Sequence, residues 1–156
     1  MSTRTQPVAR IVIIGNEVLS GKVRDANTPF LLKRLRQLGV RCAGVEVVPD
    51  EPEVIAAAVR VAAANADWVF TSGGVGPTHD DVTMQSIALA FDVPVEENPD
   101  MAAFLRSHPT RGAQPERLRM AQLPQGASVD LGGRFPQVRM RNVWICLLYT
   151  SDAADE

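Results

Sequence analysis

Residues 68–81 read WVFTSGGVGPTHDD, a short apolar run followed by a glycine-rich turn and a pair of acids. The apolar run predicts a β-strand, and the residues after the turn predict a helix. A glycine-rich turn between a strand and a helix favours phosphate binding, because glycine adopts positive φ freely and lets an anion approach the backbone N–H groups. The stretch therefore predicts an α/β fold whose anion site includes Gly73, Gly74 and Gly76.

The acids that end this stretch, Asp80 and Asp81, point beyond simple phosphate binding. Carboxylates repel an anion unless a metal ion or a proton transfer gives them a role, so both are predicted to hold a divalent ion such as Mg²⁺, Mn²⁺ or Co²⁺. Each acid also has a simpler interpretation, in which Asp81 caps the following helix and Asp80 is solvated. His79 could contact a phosphate or act as an acid, but a loop histidine is more often solvated.

Outward from this stretch, the first two thirds of the chain alternates strands and helices. ARIVIIG at residues 9–15 is a continuous apolar run, typical of a strand buried on both faces of a parallel sheet. The order β-α-β-α-β-α predicts a three-layer α/β/α fold with a mostly parallel sheet. The predicted strands are residues 9–15, 40–48 and 67–71, and the predicted helices are residues 27–39, 50–64 and 82–91.

A polar cluster follows each of these predicted strands. The carboxyl ends of parallel strands meet along one edge of the sheet, and ligands bind there. Asp50 would lie at that edge, although N-capping of its helix explains this aspartate equally well. Thr71 and Ser72 are predicted to donate to phosphate oxygens, or else to satisfy the backbone of the turn. The clusters are residues 16–27, 49–51 and 71–81.

Beyond Pro94 the hydrophobic periodicity is weaker. The pattern predicts two short helices and then two strands that form a hairpin-like addition to the sheet. The helices are predicted at residues 100–106 and 115–121, and the strands at residues 127–131 and 138–145.

The composition is that of one globular domain, with 156 residues, 46% of them hydrophobic and 22% charged. A formal charge of −2 favours neither nucleic acid nor an anionic membrane as a partner. No apolar run approaches the roughly 20 residues that span a bilayer, and the first residues lack an apolar signal core, so the cytoplasm is the expected location. Cys42 and Cys146 lack the spacing of a disulfide framework or a zinc site.

Three motifs in order carry a family resemblance: GNEVLSGKVRDANTPF from residue 15, VVPDEPEV from residue 47, and TSGGVGPTHDD from residue 71. The chain resembles the molybdopterin-binding domain shared by MoaB, MogA and MoeA. The resemblance is strongest to the N-terminal domain of CinA-type (competence/damage-inducible) proteins and to the related domain of eukaryotic FAD synthases. It covers about residues 9–145. It implies a three-layer α/β fold, a pocket for a pterin or nucleotide phosphate, and assembly into dimers or trimers.

The resemblance also assigns roles to individual residues. In the adenylylating members of the family two aspartates are catalytically important, and they correspond to Asp50 and Asp81 here. Asp25 and Asn27 match a D-x-N motif and are expected to line the ligand pocket, although Asn27 could simply cap a helix. Asn16 is a departure, because many relatives have an acidic or hydroxyl residue at this position.

After Ile145 the sequence leaves the family pattern. Relatives continue with a Leu-Pro-Gly turn, whereas this chain reads CLLYTSDAADE, which resembles the translation of a sequencing adapter. We therefore expect residues 1–145 to form the domain, truncated at its C-terminus, and residues 146–156 to be a non-native tail.

Two classes of function fit these residues. The first is metal-dependent hydrolysis of a dinucleotide pyrophosphate such as ADP-ribose or FAD, with the turn amides holding the diphosphate. The second is a non-catalytic module that binds molybdopterin. Adenylyl transfer to molybdopterin is less favoured, because GNEVLSG and GPTHDD resemble CinA more than MogA. All three use the same phosphate cradle, so the sequence leaves the choice open.

Overall fold

A computed structural model describes residues 5–107, 115–133 and 135–146. The strands are β1 (Val8–Ile14), β2 (Arg41–Val48), β3 (Trp68–Ser72), β4 (Val95–Glu97), β5 (Gln122–Pro124), β6 (Ser128–Asp130), β7 (Gln137–Met140) and β8 (Val143–Cys146). The helices are α1 (Asn16–Leu19), α2 (Asn27–Gln37), α3 (Pro52–Asn65), α4 (Thr83–Ala90), α5 (Pro99–Arg106) and α6 (Pro115–Leu118), and a 3-10 helix follows at Arg119–Ala121.

The central sheet has six strands in the order β2-β1-β3-β8-β7-β6. β1 pairs in parallel with β2 and β3, and β3 pairs in parallel with β8. The remaining pairs of this sheet, β7 with β8 and β6 with β7, are antiparallel. The predicted mostly parallel α/β sheet is therefore confirmed.

β1 is buried on both faces, as its continuous apolar run predicts. Its side chains alternate between two hydrophobic clusters: Ile11 and Ile13 face the cluster under α2, and Val12 and Ile14 face the larger cluster under α3 and α4. All four are at most 3% exposed. Full burial of one such side chain contributes about 1.5–3 kcal/mol, so this strand anchors both layers of helices.

The helices cover the sheet with apolar stripes. In α2, Leu31 and Leu35 are buried while the basic residues between them are exposed. In α3, Ile55, Val59 and Ala62 are buried. One stripe therefore covers each face of the sheet, which gives the three-layer arrangement.

The structure corrects the prediction for residues 138–145. This run is two strands, β7 and β8, joined by a tight turn in which Arg141 has a φ of 53°. The run of apolar residues on both sides conceals the turn, because no glycine or proline marks it. β8 then enters the sheet beside β3, so the hairpin-like addition forms part of the central sheet. The short pair of β4 and β5 was also absent from the sequence prediction.

The amino ends of the strands are closed by side chains that bind helix ends. Asn142, in the turn between β7 and β8, donates to the carbonyl oxygens of Ala63 and Ala66 at the end of α3, both at 3.0 Å. Arg60 on α3 donates to the carbonyl of Ala90 at the end of α4 at 3.2 Å. These bonds satisfy carbonyls that a helix end leaves without partners. No helix in the described ranges is long and apolar enough to cross a membrane.

Candidate functional site

The carboxyl ends of β1, β2 and β3 lie next to one another along the opposite edge of the sheet. The Gly15 amide after β1 donates to the carbonyl of Val48 at the end of β2, at 3.0 Å. On the other side of β1, Ile13 is in register with Ser72, the last residue of β3. The three polar segments that follow these strands therefore start from adjacent points, as the parallel topology predicts.

The glycine turn after β3 is held close to the end of β1. Gly73 and Gly74 have positive φ values of 103° and 64°. A Cβ atom on Gly73 would collide with the Ile14 carbonyl oxygen, and one on Gly74 would collide with the Thr83 hydroxyl. Both glycines are thus required by the packing of the chain as well as by its backbone conformation.

Gly76 differs from the other two glycines. It does not adopt the left-handed φ that Gly73 and Gly74 share. Its small size is needed because a Cβ atom would lie 2.6 Å from a carboxylate oxygen of Asp81. Gly76 therefore makes room for the acid at the end of the turn.

The turn leaves backbone donors free. Within the described residues, no acceptor is bonded to the N–H groups of Gly74, Val75 and Gly76. Thr83, the first residue of α4, holds the turn with two hydrogen bonds. Its hydroxyl donates to the Gly73 carbonyl at 2.7 Å, and its amide donates to the Gly74 carbonyl at 3.1 Å. Consecutive free N–H groups on a fixed turn next to a helix N-terminus form a suitable cradle for an anion.

Asp81 is held inside its own loop. One of its oxygens, Oδ2, accepts from the Thr78 amide at 2.9 Å and from the Thr78 hydroxyl at 2.7 Å. The Asp81 amide in turn donates to the Thr78 carbonyl at 3.1 Å. The helix cap is Val82, without a side-chain bond, so the interpretation of Asp81 as a cap is wrong. Its Oδ1 carries no hydrogen bond within the described residues.

Asp80 and His79 lie in solvent. Their side chains are 88% and 83% exposed and approach each other at 3.7 Å. At that exposure the pair contributes little to stability. The solvated interpretation thus describes both residues in this conformation, and the predicted metal contact of Asp80 stays a prediction.

Asp50 is tied to the end of β1. Its Oδ2 accepts from the Asn16 amide at 2.9 Å, and its own amide donates to Asn16 Oδ1 at 3.1 Å. The cap of α3 is Glu51, again without a side-chain bond, so the capping interpretation of Asp50 is wrong. A second oxygen of Asp50, Oδ1, has no hydrogen-bond partner in the described part of the chain.

Asp25 organises the start of α2. Its Oδ1 accepts from the amides of Asn27 and Thr28, each at 3.0 Å, and its Oδ2 accepts from the Thr28 hydroxyl. Asp25 thus satisfies two of the free amides at this helix end. The N-cap of α2 is Ala26, so the interpretation of Asn27 as a cap is wrong. The expected ligand contact of Asp25 stays a prediction, and both of its oxygens are already occupied.

Asn27 reaches across to β3. Its side-chain amide donates to the Ser72 hydroxyl at 2.6 Å, which joins the first residue of α2 to the last residue of β3. Ser72 is only 2% exposed, and Thr71 is 0% exposed with no hydrogen bond to its hydroxyl within the described residues. Both hydroxyls are thus buried, and their predicted contacts with phosphate oxygens stay predictions. Asn27, half-buried beside Ser72, is positioned to line a pocket at this edge.

The cysteine that follows Ile145 lies beside the same edge. Cys146 is the last residue of β8 and is in register with Ser72, so the strand extends one residue past the expected domain boundary. Burial raises the pKa of its thiol to about 11. The thiol is therefore protonated at neutral pH and is a poor nucleophile.

The donor set limits how a metal ion could be held. Within the described residues no three His, Cys, Asp or Glu side chains converge on one point. Mg²⁺ sites, however, often use one or two carboxylates together with substrate phosphates and water. Within the described residues Asp50 and Asp81 each keep one carboxylate oxygen without a hydrogen bond, so each can supply a single ligand to an ion that arrives with a phosphate, which differs from a closed protein cage.

Sequence reasoning missed three residues that build this edge: Asn16, Thr78 and Thr83. Thr78 had a usable signal, since Thr78 and Asp81 have the Ser/Thr-x-x-Asp/Glu spacing in which the acid accepts from the backbone amide of the first residue. Asn16 bonds to a residue 34 positions away, and Thr83 to a carbonyl ten positions away. Contacts of this kind depend on which strands become neighbours, and spacing along the chain does not reveal them.

Together these features define a class of protein: a mostly parallel α/β domain in which a glycine turn, a helix start and two aspartates lie at the ends of three adjacent strands. A family model described as "Probable molybdopterin binding domain" matches residues 10–144. The chain therefore belongs to the molybdopterin-binding domain family.

Three similar proteins place the chain more closely. A "Probable FAD synthase" from Caenorhabditis briggsae is 52% identical over 83 residues, which are 53% of this chain and 16% of that protein. A "CinA-like protein" from Parasynechococcus marenigrum is 36% identical over 122 residues, 76% of this chain and 29% of that protein. The crystal structure of a CinA protein of unknown function from Thermoplasma acidophilum is 30% identical, with a TM-score of 0.78 over 88% of this chain and 87% of that one. Within the family the chain thus groups with CinA-like domains, and it spans less than a third of the two curated relatives.

Proposed function

We propose that this domain binds a dinucleotide through its diphosphate and hydrolyses the pyrophosphate bond with a divalent metal ion. ADP-ribose and FAD are the substrates to test first. The observation that carries the proposal is that the N–H groups of Gly74, Val75 and Gly76 have no acceptor among the described residues, on a turn that also holds Asp81. A cradle that bound only a monophosphate would gain nothing from an acid at its end, because the carboxylate would repel the anion.

Each part of the edge has a role in this proposal. The turn amides and the start of α4 hold non-bridging phosphate oxygens. Asn27 lines the pocket beside Ser72. Asp50 and Asp81 would hold the ion, with Asp80 as a further ligand, and the ion would supply Lewis acidity at phosphorus. A water molecule then adds to phosphorus and the bridging P–O bond breaks, which yields two monophosphates and releases protons to the solvent.

The name of one relative supports a nucleotide as the ligand, because that protein is described as a probable FAD synthase and FAD is a dinucleotide. The family description favours a second candidate, a non-catalytic domain that binds molybdopterin. Adenylyl transfer to molybdopterin remains a third candidate and uses the same cradle.

A nucleotide panel tests the proposal directly. The purified domain is incubated with ADP-ribose, FAD, NAD⁺ and ATP in the presence of Mg²⁺, Mn²⁺ or Co²⁺, and released monophosphates are measured by chromatography. We expect turnover of at least one dinucleotide that EDTA abolishes. Molybdopterin binding by calorimetry without turnover of any nucleotide would instead establish the second candidate.

Two further properties belong to the proposal. We expect the domain to act in the cytoplasm and to form a dimer or trimer. Light scattering coupled to size-exclusion chromatography measures the assembly, and a single monomeric peak across a hundredfold range of concentration would overturn that part.

A further inference from the structure

The end of β1 and the loop after β2 are joined by a reciprocal pair of hydrogen bonds. Asn16 Oδ1 accepts from the Asp50 amide at 3.1 Å, and the Asn16 amide donates to Asp50 Oδ2 at 2.9 Å. The pair closes a ring between residues 34 positions apart. Both the backbone and the carboxylate of Asp50 are therefore held by one residue.

The two bonds respond differently to mutation. The bond to the carboxylate comes from the main chain of Asn16, so any residue except proline can make it at this position. The bond to the Asp50 backbone comes from the Asn16 side chain, so substitution can remove it. Position 16 thus controls the path of the loop that carries Asp50 and leaves the carboxylate bond in place.

This ring is not explained by the stability of the fold alone. Asn16 is exposed, Asp50 is half-buried, and Asp50 does not cap α3. The junction of β1 and β2 is already closed by the bond from Gly15 to Val48 and by seven registered residue pairs between the strands. An additional bond at an exposed position adds little to such a junction, but it does fix the direction of one carboxylate.

We propose that Asn16 is a positioning residue for Asp50, an inference that rests on the dinucleotide hydrolysis proposed above. Asn16 keeps the Asp50 loop in one conformation, so that Oδ1 of Asp50 already faces the proposed ligand site at the carboxyl ends of the strands before the ligand binds. A displacement of about 1 Å at a reacting group can cost on the order of a hundredfold in rate. Loss of the side-chain acceptor should therefore lower kcat and leave the phosphate cradle on the separate β3–α4 turn intact.

The test compares Asn16→Ala, Asn16→Asp and a matched control, Asn65→Ala. The control removes an asparagine that also makes one exposed bond from its side chain to the backbone, to the Val61 carbonyl at 2.8 Å on α3. Measured quantities are kcat and KM for the dinucleotide turned over by the wild type, and the exchange rate of the Asp50 amide proton by NMR. We expect Asn16→Ala to lower kcat roughly tenfold to a hundredfold with KM changed less than threefold, and to speed exchange severalfold.

Asn16→Asp separates positioning from direct contact. Aspartate keeps an acceptor for the Asp50 amide, so exchange should remain slow and kcat should recover to within about threefold of the wild type. Its added charge opposes an anionic ligand and should appear in KM. If Asn16→Asp protects the Asp50 amide yet stays as slow as Asn16→Ala, the amide nitrogen of Asn16 contacts the ligand and the positioning inference is overturned.

The outcomes also separate this inference from the function on which it rests. A wild-type domain that turns over no dinucleotide overturns the proposed function. An active wild type with an equally active Asn16→Ala variant overturns only the role of Asn16. A fall in kcat that the Asn65→Ala control reproduces would mean that any lost surface bond slows the enzyme, and it too would overturn the inference.

Discussion

The loop after β2 and the turn after β3 each present an aspartate at the same edge of the sheet, but they hold it in different ways. Asp50 is bonded to Asn16, 34 residues away at the start of α1, whereas Asp81 is bonded to Thr78, three residues away in its own loop. The glycines before Asp81 show the reverse dependence, because Gly73 lies against the backbone of Ile14 on β1. The segment from Ile14 to Asn16, where β1 ends and α1 begins, is thus the common support, and it holds the acid of one loop and the anion cradle of the other.

Gly73→Ala should have the largest effect on stability, because it disrupts the contact between the glycine turn and Ile14. Its Cβ would collide with the Ile14 carbonyl at a φ of 103°, so either β1 or the turn must move. We expect a loss of roughly 3 kcal/mol or more in the free energy of unfolding, measured with urea. Gly21→Ala is the control, since Gly21 also has a positive φ, of 77°, but nothing within 4 Å of the added atom. Its cost should be about 1 kcal/mol, and equal losses in the two variants would contradict the close approach to β1.

Asp81→Asn tests whether Asp81, the aspartate held within its own loop, takes part in the hydrolysis. Asparagine still accepts from Thr78 through its amide oxygen, so the loop should persist while the charge is lost. We expect turnover of the dinucleotide to fall at least a hundredfold, about 2.7 kcal/mol, with substrate affinity changed little.

The control for this variant is Asp92→Asn at the opposite end of α4. Asp92 is exposed and has a φ of 53°, a conformation that asparagine also tolerates. Its turnover should match that of the wild type. Unchanged turnover in Asp81→Asn would remove Asp81 from the mechanism.

Asp25→Ala should have a smaller effect, and on stability. Asp25 accepts from two amides at the start of α2, so its loss should cost about 1–2 kcal/mol in the free energy of unfolding. Asp50→Ala should cost less, because Asp50 caps no helix. The two variants, compared by urea denaturation, distinguish an acid that supports a helix from an acid held for a ligand. Equal costs would contradict the distinction.

The smallest expected effect is the pH dependence of stability that comes from the Cys146 thiol. Cys146 lies on β8, beside β3, and its reactivity reports whether solvent reaches that side of β3. Burial raises the pKa of its thiol to about 11, above its value in the unfolded chain. The folded state therefore keeps the proton longer, so this contribution to stability is complete below pH 9 and is lost as the pH rises through 11. Alkylation of Cys146 by iodoacetamide, followed by mass spectrometry, should accelerate up to about pH 11. A plateau near pH 9 would show that solvent reaches this part of the edge.

The sequence predicts most of this fold because its signals are local. The apolar run of β1 and the stripe of Leu31 and Leu35 on α2 each appear within one element. The turn at Arg141 is the opposite case, since a non-glycine residue adopts a positive φ there and no local pattern marks it.

Part of the candidate site could likewise be predicted from local sequence, and part could not. The glycines and acids are recognisable as residues, but the partners of Asp50 and Asn27 lie 34 and 45 positions away, at the start of α1 and at the end of β3. Capping is therefore the natural interpretation of both residues, and it is wrong for both because each side chain bonds to a distant segment instead. Because the site is formed by segments at the ends of several strands, its hydrogen bonds can be predicted only once the order of the strands in the sheet is known.

The position of β8 has a consequence for how the chain folds as it is made. β8 is the last described strand in the chain, yet it lies between β3 and β7 in the sheet. During synthesis the edge of β3 that β8 will cover therefore stays unpaired while more than seventy residues emerge, at roughly 5–20 residues per second. An unpaired strand edge is a template for association with other chains. For several seconds the nascent domain thus presents the strand that precedes its glycine turn, and a chaperone that recognises extended apolar segments would find its target there.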